Sequence, residues 1–168
     1  MNIMMTGSAG ETGAKILAEQ YRERLLTRLM PSFLARLDAF GAQNPPEGKL
    51  FLTPVEEGGV YAALWKLAEA AGTGLIIEQE KIPVRQETIE VCELLDVSPY
   101  LMQSGAYLYL TEKEEQEESG QEGILRAVKI GITSDSRDKV ILGLEGRRFL
   151  NRPGMDECER LRLQLPPR

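Results

Sequence analysis

Apolar positions along this chain recur with two periods, and the switches between them outline alternating strands and helices. Ile3 to Thr6 reads as a short strand that runs into Gly7, Gly10 and Gly13. Ala14 to Leu29 then carry Ile16, Tyr21, Leu25 and Leu29 at helical spacing, with Glu19, Arg22, Glu23 and Arg28 opposite. Pro31 interrupts that pattern and can open a new helix, in which Phe33, Leu37 and Phe40 share a face before Gly41 stops it. After a loop marked by Asn44-Pro45-Pro46, Leu50 to Thr53 reads as a strand and Glu57 to Ala71 as the strongest helix. Val60, Leu64, Leu67 and Ala71 form its stripe, widened by Tyr61, Trp65 and Ala68, and that width predicts burial against a sheet.

Gly72 and Gly74 end this helix, and Gly74 to Glu78 has the continuous apolar run of a central strand. Ile82-Pro83-Val84 is extended, and Gln86 to Leu95 predicts a helix with Ile89, Cys92 and Leu95 inward. Ala106, Leu108 and Leu110 alternate with Tyr107 and Tyr109, and Val128, Ile130 and Ile132 alternate with Lys129 and Gly131, so both segments read as strands. Lys139 to Leu142 and Arg147 to Leu150 flank Gly143-Leu144-Glu145-Gly146 as a hairpin. Glu112 to Glu122 holds six glutamates, one lysine and no apolar residue, which predicts a solvated acidic loop. The tail 160–168, ending in Pro166-Pro167-Arg168, is expected to be flexible.

A length of 168 residues fits one domain with a real core. The net charge of -6, with no long basic run, argues against nucleic acid or an anionic membrane as partner. No apolar run reaches eighteen residues and the first residues lack a basic flank and an apolar signal core, so a cytoplasmic location is expected. Cys92 and Cys158 fit no metal spacing and no disulfide framework. The chain has no histidine, which removes His triads, His metal sites and the commonest general base near neutral pH.

Two glycine-rich turns are the candidate chemistry. The first, Gly7 to Lys15, departs from a nucleotide phosphate loop because Ala14 separates Gly13 from Lys15 and no hydroxyl follows the lysine; it reads as a packing turn. The second, Leu52-Thr53-Pro54-Val55-Glu56-Glu57-Gly58-Gly59-Val60, joins a strand end to a helix, the local geometry that aims backbone N–H groups at an anion.

That second turn and its surroundings resemble the C-terminal domain of the aminoimidazole ribonucleotide (AIR) synthase-related, or PurM-like, superfamily, closest to the branch of hydrogenase expression/formation protein HypE. The resemblance is carried by Glu57-Gly58-Gly59-Val60-Tyr61-Ala62-Ala63-Leu64-Trp65, Leu67 to Gly74, Lys81 to Thr88, Cys92 to Leu95, Ser98-Pro99-Tyr100-Leu101 and Ser104-Gly105, in one order over nearly the whole chain. It implies an α/β (α+β) two-layer sandwich: a mixed β-sheet with helices packed on one face. It also implies a single domain over 1–168, without the N-terminal domain that dimerises and supplies most ATP and metal ligands in full-length relatives. The carrier of HypE chemistry is a C-terminal cysteine, whereas Cys158 lies ten positions inside this chain.

Relatives usually place Asp and Thr in the turn, as Asp-Pro-Thr-x-Gly-Gly; here Pro54 and Glu56 stand at those positions. Glu56 and Glu57 would each oppose a bound phosphate by about 1 to 4 kcal/mol, comparable with what helix-start amides return. Weak phosphate or ATP binding is therefore the cofactor expectation. The expected function is a stand-alone, non-catalytic binding or assembly module linked to hydrogenase maturation. The alternative is one half of a split ATP-dependent enzyme, completed by a separate N-terminal domain chain, with Glu56, Glu57, Gly58, Gly59, Ser104 and Gly105 lining the shared cleft. No catalytic or metal-binding residue stands out. A homo-oligomer, most simply a twofold dimer, is expected.

Overall fold

The computed structural model describes residues 1–41, 44–113 and 127–167. Among these, the strands are β1 (Asn2–Thr6), β2 (Leu50–Val55), β3 (Gly74–Glu78), β4 (Ala106–Thr111), β5 (Ala127–Ser134), β6 (Lys139–Gly143) and β7 (Gly146–Phe149). They form one mixed sheet in the order β2-β4-β1-β5-β3-β6-β7. Neighbours are antiparallel except β3 and β6, which run parallel. The helices are α1 (Glu11–Gln20), α2 (Arg22–Leu25), α3 (Pro31–Ala35), α4 (Gly59–Ala71), α5 (Gln86–Leu95) and α6 (Glu157–Gln164).

The apolar stripe of α4 lies on the sheet: Val60, Leu64 and Leu67 are fully buried in one cluster with Ile3, Met5, Leu75, Ile77 and Leu108. A second cluster joins α1, α2, α3, α5 and α6 through Leu17, Leu25, Leu34, Val91 and Leu161, with Tyr21, Leu37 and Met102 among them. This is the two-layer α/β arrangement that the resemblance implies.

Several local expectations change once the chain is folded. The helix expected from Ala14 to Leu29 begins earlier, at Glu11, and breaks at Tyr21, whose backbone (φ -116°, ψ 27°) leaves the helical region. On α5, Thr88 and Val91 are buried with Cys92 and Leu95, while Ile89 is only partly buried. Trp65 is likewise partly buried, with the Lys139 ammonium 4.3 Å above its ring, so it edges the core instead of filling it.

The alternation expected in β5 is broken by a bulge against β1. Ile3 pairs with Gly131 and Met4 with Lys129, which leaves Ile130 as the extra residue. One extra residue reverses the sidedness beyond it. Ile130 therefore joins the core while Ile132 is 40% exposed.

The tail expected to be flexible is helical through Gln164. Leu161 is buried in the second cluster and the Tyr21 hydroxyl donates to the Leu165 carbonyl at 2.5 Å. The acidic stretch predicted from Glu112 to Glu122 lies, beyond Lys113, outside the described residues. Among the described residues no helix is long and apolar enough to cross a membrane.

Candidate functional site

The chain leaves β2 at Val55 and turns into α4 through two consecutive glycines in the left-handed region, Gly58 (φ 84°) and Gly59 (φ 73°). Side chains are strained there, and space forbids them as well. A Cβ on Gly59 would lie 2.4 Å from the Tyr100 carbonyl oxygen and 2.6 Å from the Met102 nitrogen. The turn is thus pressed against the segment from Tyr100 to Met102.

Both glycine amides are already engaged. The Gly58 N–H donates to Asp156 Oδ2 at 2.9 Å, and the Gln103 N–H donates to the same oxygen at 3.2 Å. Asp156 Oδ1 accepts the Cys158 N–H at 2.9 Å, which caps α6. The Gly59 N–H donates to the Glu56 carbonyl at 3.0 Å. One carboxylate from the chain itself therefore occupies the place that an external anion would take at such a turn.

Of the six residues expected to line a cleft, the fold brings Gly58, Gly59 and Ser104 into one packed neighbourhood, and leaves the Glu56 and Glu57 side chains exposed. Ser104 is buried; its Oγ accepts the Gly10 N–H at 2.7 Å and donates to the Met102 carbonyl at 2.9 Å, while its own N–H donates to the Val55 carbonyl at 3.3 Å. It ties the two glycine turns together. Gly105 follows with φ 62°, turning the chain into β4.

The first glycine turn is closed in a similar way. Gly13 lies against Met102, where a Cβ would come within 2.7 Å of the methionine Cβ. Glu11, only 4% exposed, accepts from the Ser8 hydroxyl and from Arg85 Nε at 2.7 Å, and the Arg85 guanidinium stacks 4.8 Å over Phe40. A buried carboxylate so paired is structural, as the packing-turn reading of Gly7 to Lys15 expects.

An open groove of about 380 Å³ begins where the second turn ends, between the start of α4, the Tyr100 loop and the segment after β7. A second open groove of about 550 Å³, lined by the β6–β7 turn, adjoins it and shares Gln79, Tyr100 and Arg148. Tyr61 and Tyr100 stack with ring centres 5.3 Å apart and planes 13° apart. Arg148 Nη2 donates to the Tyr61 hydroxyl at 2.8 Å and to Gln79 Oε1 at 2.9 Å. Burial pushes the Tyr61 phenol up to about 12, against the pull of the Arg148 charge beside it.

Sequence reasoning missed Asp156 and this groove. A signal for the first was present: Asp156 followed at the third position by Glu159 is a helix-start pattern. The groove has no local signal, because its parts come from five separate stretches of the chain.

No protein-family model matches the chain. In sequence it is 31% identical over 115 residues to the carbamoyl dehydratase HypE of Rhodobacter capsulatus, a match covering 67% of this chain and 34% of that protein. It is 25% identical over 169 residues to a hydrogenase expression/formation protein of Methanocaldococcus jannaschii, covering 95% of this chain and 50% of the relative. In structure it superposes on Escherichia coli HypE with a TM-score of 0.68 and 25% identity, over 95% of this chain and 52% of that one. The chain thus spans between a third and a half of the length of these relatives.

Proposed function

From a chain that is HypE-like in sequence and PurM C-terminal-like in fold, we propose a binding or assembly module in hydrogenase maturation that does not turn over ATP by itself. The observation that carries this reading is the internal saturation of the glycine turn: Asp156 holds Gly58, Glu56 holds Gly59, and Ser104 is spent on Gly10 and Met102. Where relatives resemble Asp-Pro-Thr-x-Gly-Gly, this chain offers Pro54, Glu56 and Glu57, so the turn opposes a phosphate while its Gly58 and Gly59 amides are already bonded within the chain. An exposed apolar run on edge strand β2, Leu50 (51%), Phe51 (44%) and Leu52 (36%), supports a role that involves a protein partner. In this reading the chain also self-associates, most simply as a twofold dimer, which light scattering at high micromolar concentration checks.

The test is thermal denaturation with Mg-ATP, ADP and inorganic phosphate, alongside an assay of phosphate release. A ligand at 100 times its Kd would add about 2.7 kcal/mol and raise Tm visibly. The module reading expects no shift and no release. A saturable Mg-ATP shift would instead favour the second reading, one half of an ATP-dependent enzyme completed by an N-terminal domain on a separate chain.

A further inference from the structure

The groove beside α4 differs from the glycine turn in the chemistry it presents. Arg148 uses one nitrogen, Nη2, on two neutral partners, the Tyr61 hydroxyl and Gln79, so its charge is oriented but not neutralised. Arg152 lines the same groove and makes no hydrogen bond or salt bridge among the described residues, its charge being felt by the Glu69 carboxylate only at longer range. The Tyr61 hydroxyl accepts from Arg148, which leaves its own proton to donate. As a phenol pushed up to about 12 it stays neutral at any physiological pH, a donor throughout. No carboxylate lies among the described residues that line this groove, although the chain as a whole carries a net charge of -6. Its walls also carry Leu101, Ile141 and Phe149 beside the polar Ser98 and Asn151, with Tyr100, stacked on Tyr61, at one side.

We propose that this groove is a binding site for a small organic anion, a carboxylate or phosphate group on a flat apolar body. Arg148 and Arg152 grip the anionic end, the planar guanidinium matching either group in bidentate fashion. The body lies along Leu101, Phe149 and Tyr100. Held by Gln79 and Tyr61, Arg148 is fixed in advance, which lowers the ordering cost of binding. A volume of about 380 Å³ is within the range of small-molecule sites. The site goes beyond the module reading: it involves neither the donors of the glycine turn nor ATP, and it stands or falls independently of that reading.

The test is a titration of the full chain with phenyl phosphate, benzoate and, as a cationic control of the same shape, benzylamine, followed by thermal shift and by the fluorescence of Trp65 and the tyrosines. Phenyl phosphate or benzoate is expected to bind saturably below about 10 mM and benzylamine not at all. Arg152→Glu should weaken anion binding about tenfold or more, and Arg152→Lys much less. Arg152 is exposed and unbonded among the described residues, so these variants fold; Arg148→Gln, checked by circular dichroism, is the second probe. The proposal is overturned if neither anion binds, if benzylamine binds as well as benzoate, or if both variants bind the anions unchanged.

Discussion

Two sites less than one helical turn apart on α4 show how the same kind of group is used in opposite ways. At Gly58 and Gly59 the backbone amides that could receive an anion are filled from within, by Asp156 and the Glu56 carbonyl. At Arg148 the donor nitrogen is held by two neutral oxygens, those of Tyr61 and Gln79, so its capacity to meet a charge is kept. A motif that looks receptive in sequence is therefore closed, and a region with no motif is open. What separates them is the charge of the internal partner: a carboxylate satisfies and neutralises, whereas a phenol or an amide only orients.

The largest expected effect strikes the closed site. Gly59→Ala puts a Cβ into the Tyr100 carbonyl at a left-handed φ, and should cost about 3 kcal/mol or more in chemical denaturation. A substitution here reports folding and not ligand affinity, so it cannot serve as a probe of phosphate binding. Asp156→Ala comes next: it strands the Gly58 and Gln103 amides and uncaps α6, for a loss of about 2 to 4 kcal/mol. It also empties the turn. Inorganic phosphate is expected to raise Tm in Asp156→Ala and not in the wild type, and a variant that neither loses stability nor responds to phosphate would break the comparison.

Alkaline pH touches both sites. Burial pushes the Cys92 and Cys158 thiols up to about 12, the nearby Asp156 and Glu157 carboxylates adding to the effect at Cys158, and the Tyr61 phenol reaches the same range. Each group is neutral when protonated and holds its proton more tightly folded than unfolded. Stability is thus full below the unfolded values, about 8.5 for a thiol and 10 for a phenol, and falls as pH rises towards 12. Tyr61→Phe should flatten the part of the decline above about pH 10, in equilibrium unfolding followed against pH. The smallest effect belongs to the open site: Arg152→Glu should leave unfolding free energy within about 0.5 kcal/mol of wild type. A larger loss would mean that Arg152 is structural, and the contrast between the two sites would shrink.

Much of the fold was legible in the residues. The helix from Gln86 to Leu95, the Pro31 helix start, the end of α4 at Gly72 and the β6–β7 hairpin all rest on patterns contained within a dozen positions. The bulge at Ile130 was not, since it exists only in the pairing of β5 with β1. Nor was the order of α6, whose polar sequence gives little amphipathic signal and which is held by Leu161 and by the Tyr21 contact with Leu165.

For the sites the division is sharper. The sequence by itself determined that a strand would turn through Gly58 and Gly59 into a long apolar helix, because left-handed turns and helical stripes are local requirements of backbone sterics and burial. Only the tertiary structure decided whether that turn would be open. Its occupant, Asp156, lies 98 residues away, Ser104 reaches Gly10 across 94, and Arg148 meets Tyr61 across 87. Periodicity and propensity act over a few residues, whereas a hydrogen bond between distant segments follows from the sheet order and helix packing that bring them together.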